Sequence, residues 1–179
     1  MLESLRMSIG VLWGARRLGK SPEGLVTFTN ALTEARHVLL IMPLDRREML
    51  STMTVIELLK KRFEGENIHV IADEHGLETM RLLPRSRFTR ILESDVNAFF
   101  LPRKPFMEQL KRKPCDIAID LNLDLVLPSA YICRESKARI RVGFARKSAD
   151  TFYNLQIQPD PALSRKLIYD RLAKCLQMF

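Results

Sequence analysis

The 179-residue chain carries 29 lysines and arginines against 21 aspartates and glutamates, a formal net charge of +8, with 46% hydrophobic and 28% charged residues. That balance describes a globular domain with a substantial core, and 7 glycines with 9 prolines exclude a collagenous or low-complexity chain. The positive excess favours an anionic partner such as a phosphorylated sugar, nucleic acid or acidic lipid, with a merely solvated basic surface as the plain alternative.

Cys115, Cys133 and Cys175 form no CxxC pair and cannot all be bridged within one chain, which fits reduced thiols in a cytoplasmic protein. No apolar run approaches the roughly 20 residues needed to span a bilayer. The N-terminus also lacks the charge-first order and small-residue cleavage site of a signal peptide. Membrane contact, where it occurs, is therefore expected to be peripheral.

Residues 2–18 read as a helix with Leu2, Leu5, Ile9, Leu12 and Trp13 along one side and Arg6, Arg16 and Arg17 away from it. Such a helix packs on its own domain or on a partner, or lies on an anionic membrane. Ser21-Pro22-Glu23 supplies an N-cap and a proline at the first helical position, predicting a second helix over residues 22–35. Together these form a helical arm, residues 1–36, ahead of the domain at residues 37–179.

His37 to Met42 is an apolar run closed by Pro43 and predicts the first strand. A charged loop, Leu44 to Glu48, leads to a helix over residues 49–63 with Leu50, Met53, Ile56, Leu59 and Phe63 at helical spacing, and Gly65 stops it. Asn67 to Ala72 predicts the next strand. A short helix before Pro84, a strand at Arg90 to Glu93, an ambiguous strand or loop over Val96 to Pro102, and a basic helix over residues 104–113 follow.

The clearest pattern is Cys115 to Ile157. Apolar runs at Ile117 to Leu121 and Ile140 to Phe144 flank a helix-length segment, as in a parallel sheet covered on both faces. A strand at Tyr153 to Ile157 and a helix over residues 161–178, capped by Pro159-Asp160-Pro161, close the chain. Alternating strands and helices predict an α/β fold with a single doubly wound, mostly parallel sheet.

In open α/β sheets, functional groups gather beyond the carboxyl ends of the strands. Asp120, Asn122 and Asp124 fall there, as ligand contacts or as turn and capping residues. Arg46, Arg47, Arg141, Arg146 and Lys147 are candidates to converge on phosphate, since arginine offers a forked donor to anions. The loop after the first strand has no glycine, and neither GxGxxG nor GxxxxGK[ST] occurs, so no nucleotide cofactor is expected. His37, His69 and His75 have no ligand spacing with the cysteines, so no metal site is expected. Ser51 and Ser129 lack a His/Asp partner for hydrolase chemistry. Nucleic-acid binding is disfavoured because aromatics interleaved with arginine are missing.

In order, HVLLIM, TVIELLKKRF, NIHVIADEHGLETMRLLP, CDIAIDLNLDLVLPSA and ARIRVGFARKSADTFYN resemble the N-terminal half of the lipopolysaccharide heptosyltransferases, glycosyltransferase family 9. The resemblance spans roughly residues 37–179 and rests on Asp116 to Asn122, Arg141-Val-Gly143-Phe144 and Phe152-Tyr153-Asn154. It implies a Rossmann-like domain, half of a GT-B fold, that binds a phosphorylated sugar or lipopolysaccharide-core acceptor. The family's Gly-Asp pair, whose aspartate acts as base, falls on Arg47-Glu48, which makes Glu48 the candidate catalytic base and Asp45 its nearby substitute. Leu123 stands where the family has a glycine after its Asp-Leu-Gln. The chain has about half the length of such a transferase, so the expectation is an acceptor-side domain without transferase activity of its own, completed by a donor-domain partner or homodimer. The alternative is a binding or assembly module that uses the arm and the basic surface.

Overall fold

The computed structural model describes residues 6–12, 34–112 and 114–178. Six strands form one sheet: β1 (Val38–Ile41), β2 (Ile68–Ala72), β3 (Arg87–Arg90), β4 (Ile117–Asp120), β5 (Ile140–Phe144) and β6 (Leu155–Ile157), in spatial order β3-β2-β1-β4-β5-β6. Every neighbouring pair is parallel. This is the Rossmann-like order, and the chain reverses its direction of winding between β1 and β4.

The helices are α1 (residues 6–12), α2 (Arg46–Met49), α3 (Met53–Arg62), α4 (Thr79–Leu82), α5 (Lys104–Lys111), α6 (Leu127–Glu135) and α7 (Arg165–Gln177). Successive side chains of a strand point to opposite faces, and here both faces are covered. Val38 and Leu40 of β1 join Val55, Ile56 and Leu59 of α3 and Ile168, Tyr169 and Leu172 of α7 in one core layer. Leu39 and Ile41 face the other layer, with Phe106, Met107 and Leu110 of α5 and Leu127, Ala130, Tyr131 and Ile132 of α6. Full coverage explains why β1 and the first three residues of β4 read as apolar runs, with every residue of both strands buried.

Some boundaries differ from the sequence expectations. The third strand is Arg87–Arg90, three residues before the expected Arg90 to Glu93. As an edge strand it is half-exposed and tolerates arginines, while Thr89 is buried and bonds His69 across the pair at 2.8 Å. Val96 to Pro102 is a loop closed by an isolated antiparallel bridge. The last helix starts at Arg165, not at Pro161. Ser164 caps it by accepting from the Leu167 N–H, and Asp160 instead closes a turn onto Ala162 and Leu163.

Of the expected arm, residues 6–12 are helical, while the second helix, the Trp13 position, Arg16 and Arg17 lie outside the described residues. The helix α1 docks on the domain by a different face from the apolar stripe. Gly10 is buried so closely that a methyl group built on it would lie 2.3 Å from the Phe99 carbonyl oxygen and 2.7 Å from Leu127. Arg6 donates to the Ala98 carbonyl and stacks over Phe100, and Val11 packs against the core. Ile9 and Leu12 of the expected stripe face solvent.

Candidate functional site at the carboxyl edge of the sheet

The loop after β1 begins with Asp45, which caps α2 by accepting from the Arg47 N–H at 2.9 Å. The Arg47 guanidinium returns to the same carboxylate, with Nη2 2.7 Å from Oδ2. That hydrogen bond holds Asp45 at about 2, below the usual carboxylate range, so it is a weak base. Capping and the ion pair occupy both residues with each other.

Glu48 turns inward and is only 5% exposed. Its Oε2 accepts from the Leu123 N–H at 3.2 Å and lies 3.1 Å from the Tyr169 hydroxyl. That hydroxyl also lies 2.6 Å from the Leu121 carbonyl oxygen. Burial raises Glu48 above the ordinary carboxylate range, against the hydrogen bonds from Leu123 and Tyr169, which lower it. Glu48 therefore ties α2, the loop after β4 and α7 together beneath the edge. Leu123, standing where the resemblance placed a glycine, is buried and supplies the N–H that holds it.

Asp120, the last residue of β4, is buried and accepts from the Asn122 N–H at 3.0 Å, the Asn122 side chain at 2.7 Å and the Tyr153 hydroxyl at 2.7 Å. Even so, burial lifts it to about 6. Asn122 in turn accepts from the Leu44 N–H at 2.9 Å, joining the loops after β1 and β4. These two residues build the edge from below and present no free polar group to a ligand.

The arginines separate into two groups. Arg141 is 6% exposed, and its guanidinium donates to the Ala138 and Phe152 carbonyls at 3.0 Å each, so it braces the chain around β5 instead of joining an anion site. Arg146 does lie at the carboxyl edge, 3.5 Å from the exposed carboxylate of Asp124, and Lys147 beside it is exposed. Arg46 lines a concavity of about 270 Å³ with Met49, Leu50, Glu74 and His75. Arg165, which the sequence reading passed over, opens α7 and acts on both Asp45 and Tyr169. Its charge at the first turn of a helix gave no signal in the sequence, because only the fold brings that turn to the loop after β1.

A separate cavity of about 220 Å³ lies at the carboxyl ends of β1 and β2. Its walls include Ile41, Ile71, Ile91, Pro128 and Ile132, with Asp73, Glu93 and Ser129 as its polar members. It spans the place where the winding reverses, because α6 follows β4 while the other walls belong to β1, β2 and the segment after β3. Asp73 and Glu93 were not singled out in the sequence. Asp73 follows β2 directly, which is the one signal that could have marked it.

At the opposite end of the sheet, a concavity of about 40 Å³ collects His37, His69, Arg87 and Cys115. Burial holds the Cys115 thiol up, so it is a poor nucleophile. All three cysteines are unbridged. Among the described residues no group of three histidine, cysteine, aspartate or glutamate side chains is placed to hold a metal ion, and no helix is long and apolar enough to cross a membrane.

The geometry defines a Rossmann-like α/β domain with a basic, partly concave carboxyl edge. Within that class the chain belongs to DUF6913, a family of unknown function whose model matches residues 17–179. No curated protein and no solved structure matches it.

Proposed function

We propose that this chain is a heptosyltransferase-like acceptor-side domain that acts as a binding module and carries no transferase chemistry of its own. One observation supports this reading above the others: the carboxylate at the base position, Glu48, is buried against Leu123 and Tyr169, where no acceptor hydroxyl reaches it. General base catalysis needs a proton acceptor within hydrogen-bond reach of the substrate. Asp45 does not replace it, because Arg47 holds its carboxylate.

The ligand is an anionic, phosphorylated sugar bound at the carboxyl edge by Arg46, Arg146 and Lys147. The +8 charge of the chain favours its approach. The test is a calorimetric titration of the full chain with a phosphorylated core oligosaccharide, repeated with R46E/R146E and with E48Q. Saturable binding that weakens with salt, is lost in R46E/R146E and persists in E48Q is the expected result. Turnover of a nucleotide-sugar that E48Q abolishes would overturn the reading.

A second reading has its own observation. Met7, Ile9 and Leu12 of α1 are 42%, 40% and 68% exposed, which presents an apolar strip to solvent. That strip suits peripheral contact of a cytoplasmic protein with an anionic membrane. Co-sedimentation with vesicles containing phosphatidylglycerol, compared between the parent and I9E/L12E, decides it; equal sedimentation of the two rules it out.

A further inference from the structure

We propose that the cavity between the carboxyl ends of β1 and β2 and the first turn of α6 binds a purine nucleoside, free or as the uncharged part of a larger molecule. The site is distinct from the basic edge and does not depend on the reading given for it.

Size comes first. At about 220 Å³ the cavity holds several times the roughly 30 Å³ that one water occupies in the liquid, so it takes a small molecule. Its position is the crevice where an open α/β sheet receives ligands, beyond the strand ends at the reversal of winding. The walls then restrict the chemistry. Ile41, Ile71, Ile91, Pro128 and Ile132 give the cavity aliphatic walls, with no aromatic among the described lining residues, which suits a flat heteroaromatic ring better than a bare sugar.

Asp73 supplies the polar recognition. Its Oδ1 is used within the loop, accepting from the His75 and Gly76 N–H groups at 3.0 and 3.1 Å. Its Oδ2 takes no hydrogen bond among the described residues, and the residue lines the cavity. A carboxylate oxygen directly after the second strand is placed to accept from a ribose hydroxyl. Glu93, exposed at the rim, adds a second acceptor and a second negative charge. Two carboxylates at one mouth repel phosphate, which is why the ligand is a nucleoside and not a nucleotide. Ser129, buried in the wall, offers a hydroxyl that both donates and accepts toward the edge of a base.

The test is a titration of the full chain with adenosine, guanosine, ribose and AMP, followed by calorimetry or ligand-observed magnetic resonance. Two variants accompany it. D73N keeps the oxygen that closes the loop and replaces the free acceptor by a donor, so it should fold normally and bind at least tenfold more weakly. I91W fills the cavity and should abolish binding, with circular dichroism confirming an intact fold. Saturable binding of a purine nucleoside that ribose does not match and AMP does not improve is the expected result. No saturable nucleoside binding, or binding that D73N and I91W leave unchanged, would overturn the proposal. Because R46E/R146E alters the basic edge and not this cavity, its effect on phosphorylated sugars reports on the other reading alone.

Discussion

Asp120 shows how a single buried carboxylate sets a pH dependence. Three hydrogen bonds lower its pKa and burial raises it, and burial prevails: the native value is about 6 against an ordinary 3.8. Between those values the native chain takes up a proton that the unfolded chain does not. Its contribution to stability is therefore complete below the unfolded value and declines as pH rises through about 6, by about 3 kcal/mol in all. Glu48 acts in the same direction, since burial raises it too. An asparagine at position 120 can still accept from Asn122 and can donate to the Tyr153 oxygen. Urea midpoints measured from pH 4 to 7.5 should accordingly fall with pH in the parent, and D120N should flatten that slope and be at least as stable at pH 7.5. If the two slopes are equal, Asp120 does not carry the effect. The Y153F variant gives the converse: losing a donor to the carboxylate should cost about 1 kcal/mol and push the Asp120 pKa higher still.

At the scale of elements, β4, β5 and the segment before β6 form one clasp. Tyr153 lies flat on Gly143 of β5, where an added methyl group would come within 2.7 Å of its ring, and its hydroxyl reaches Asp120 at the end of β4. Asn154 completes the clasp, accepting from the Arg141 N–H at 2.7 Å and donating to the Arg139 carbonyl at 2.9 Å. The three short motifs that carried the family resemblance are thus one packing unit. Each residue type follows from contact with the other two motifs, and none of these contacts requires a substrate. G143A should cost about 1–3 kcal/mol through overpacking, measured by chemical denaturation. A neutral G143A would mean that Tyr153 is free to move away. The end of α6 gives the opposite sign. Lys137 follows the helix in a left-handed conformation with φ 58°, which favours glycine, so K137G should raise stability by about 0.5–1 kcal/mol. Unchanged or lowered stability in K137G would show that the lysine side chain matters more than its backbone.

For the whole molecule, the sheet was legible because its strands are covered on both faces and so read as apolar runs. The edge strand β3 was misplaced because half-exposed arginines carry no such run. The carboxyl edge was legible as a location, but not in its assignment of roles. Spacing alone does not show that Glu48 and Asn122 point under the edge, or that Arg141 turns back to backbone carbonyls. Nor does it reveal Asp73, because a carboxylate after a strand acquires meaning only when α6 closes a cavity over it. The arm shows the same limit. Its apolar residues were legible, but the face it buries is the one carrying Gly10, which has no side chain to count. This makes a prediction with two competing signs. In an isolated helix, G10A would be stabilising by about 1 kcal/mol, because alanine is the better helix former. In the docked helix the new methyl group meets the Phe99 carbonyl at 2.3 Å, and the overpacking cost of about 1–3 kcal/mol exceeds that gain. G10A should therefore lower the melting temperature by about 2–4 °C and speed limited proteolysis before β1. A rise in melting temperature would show that α1 does not dock on the domain in solution. The sign alone decides, because helix propensity and docking pull in opposite directions.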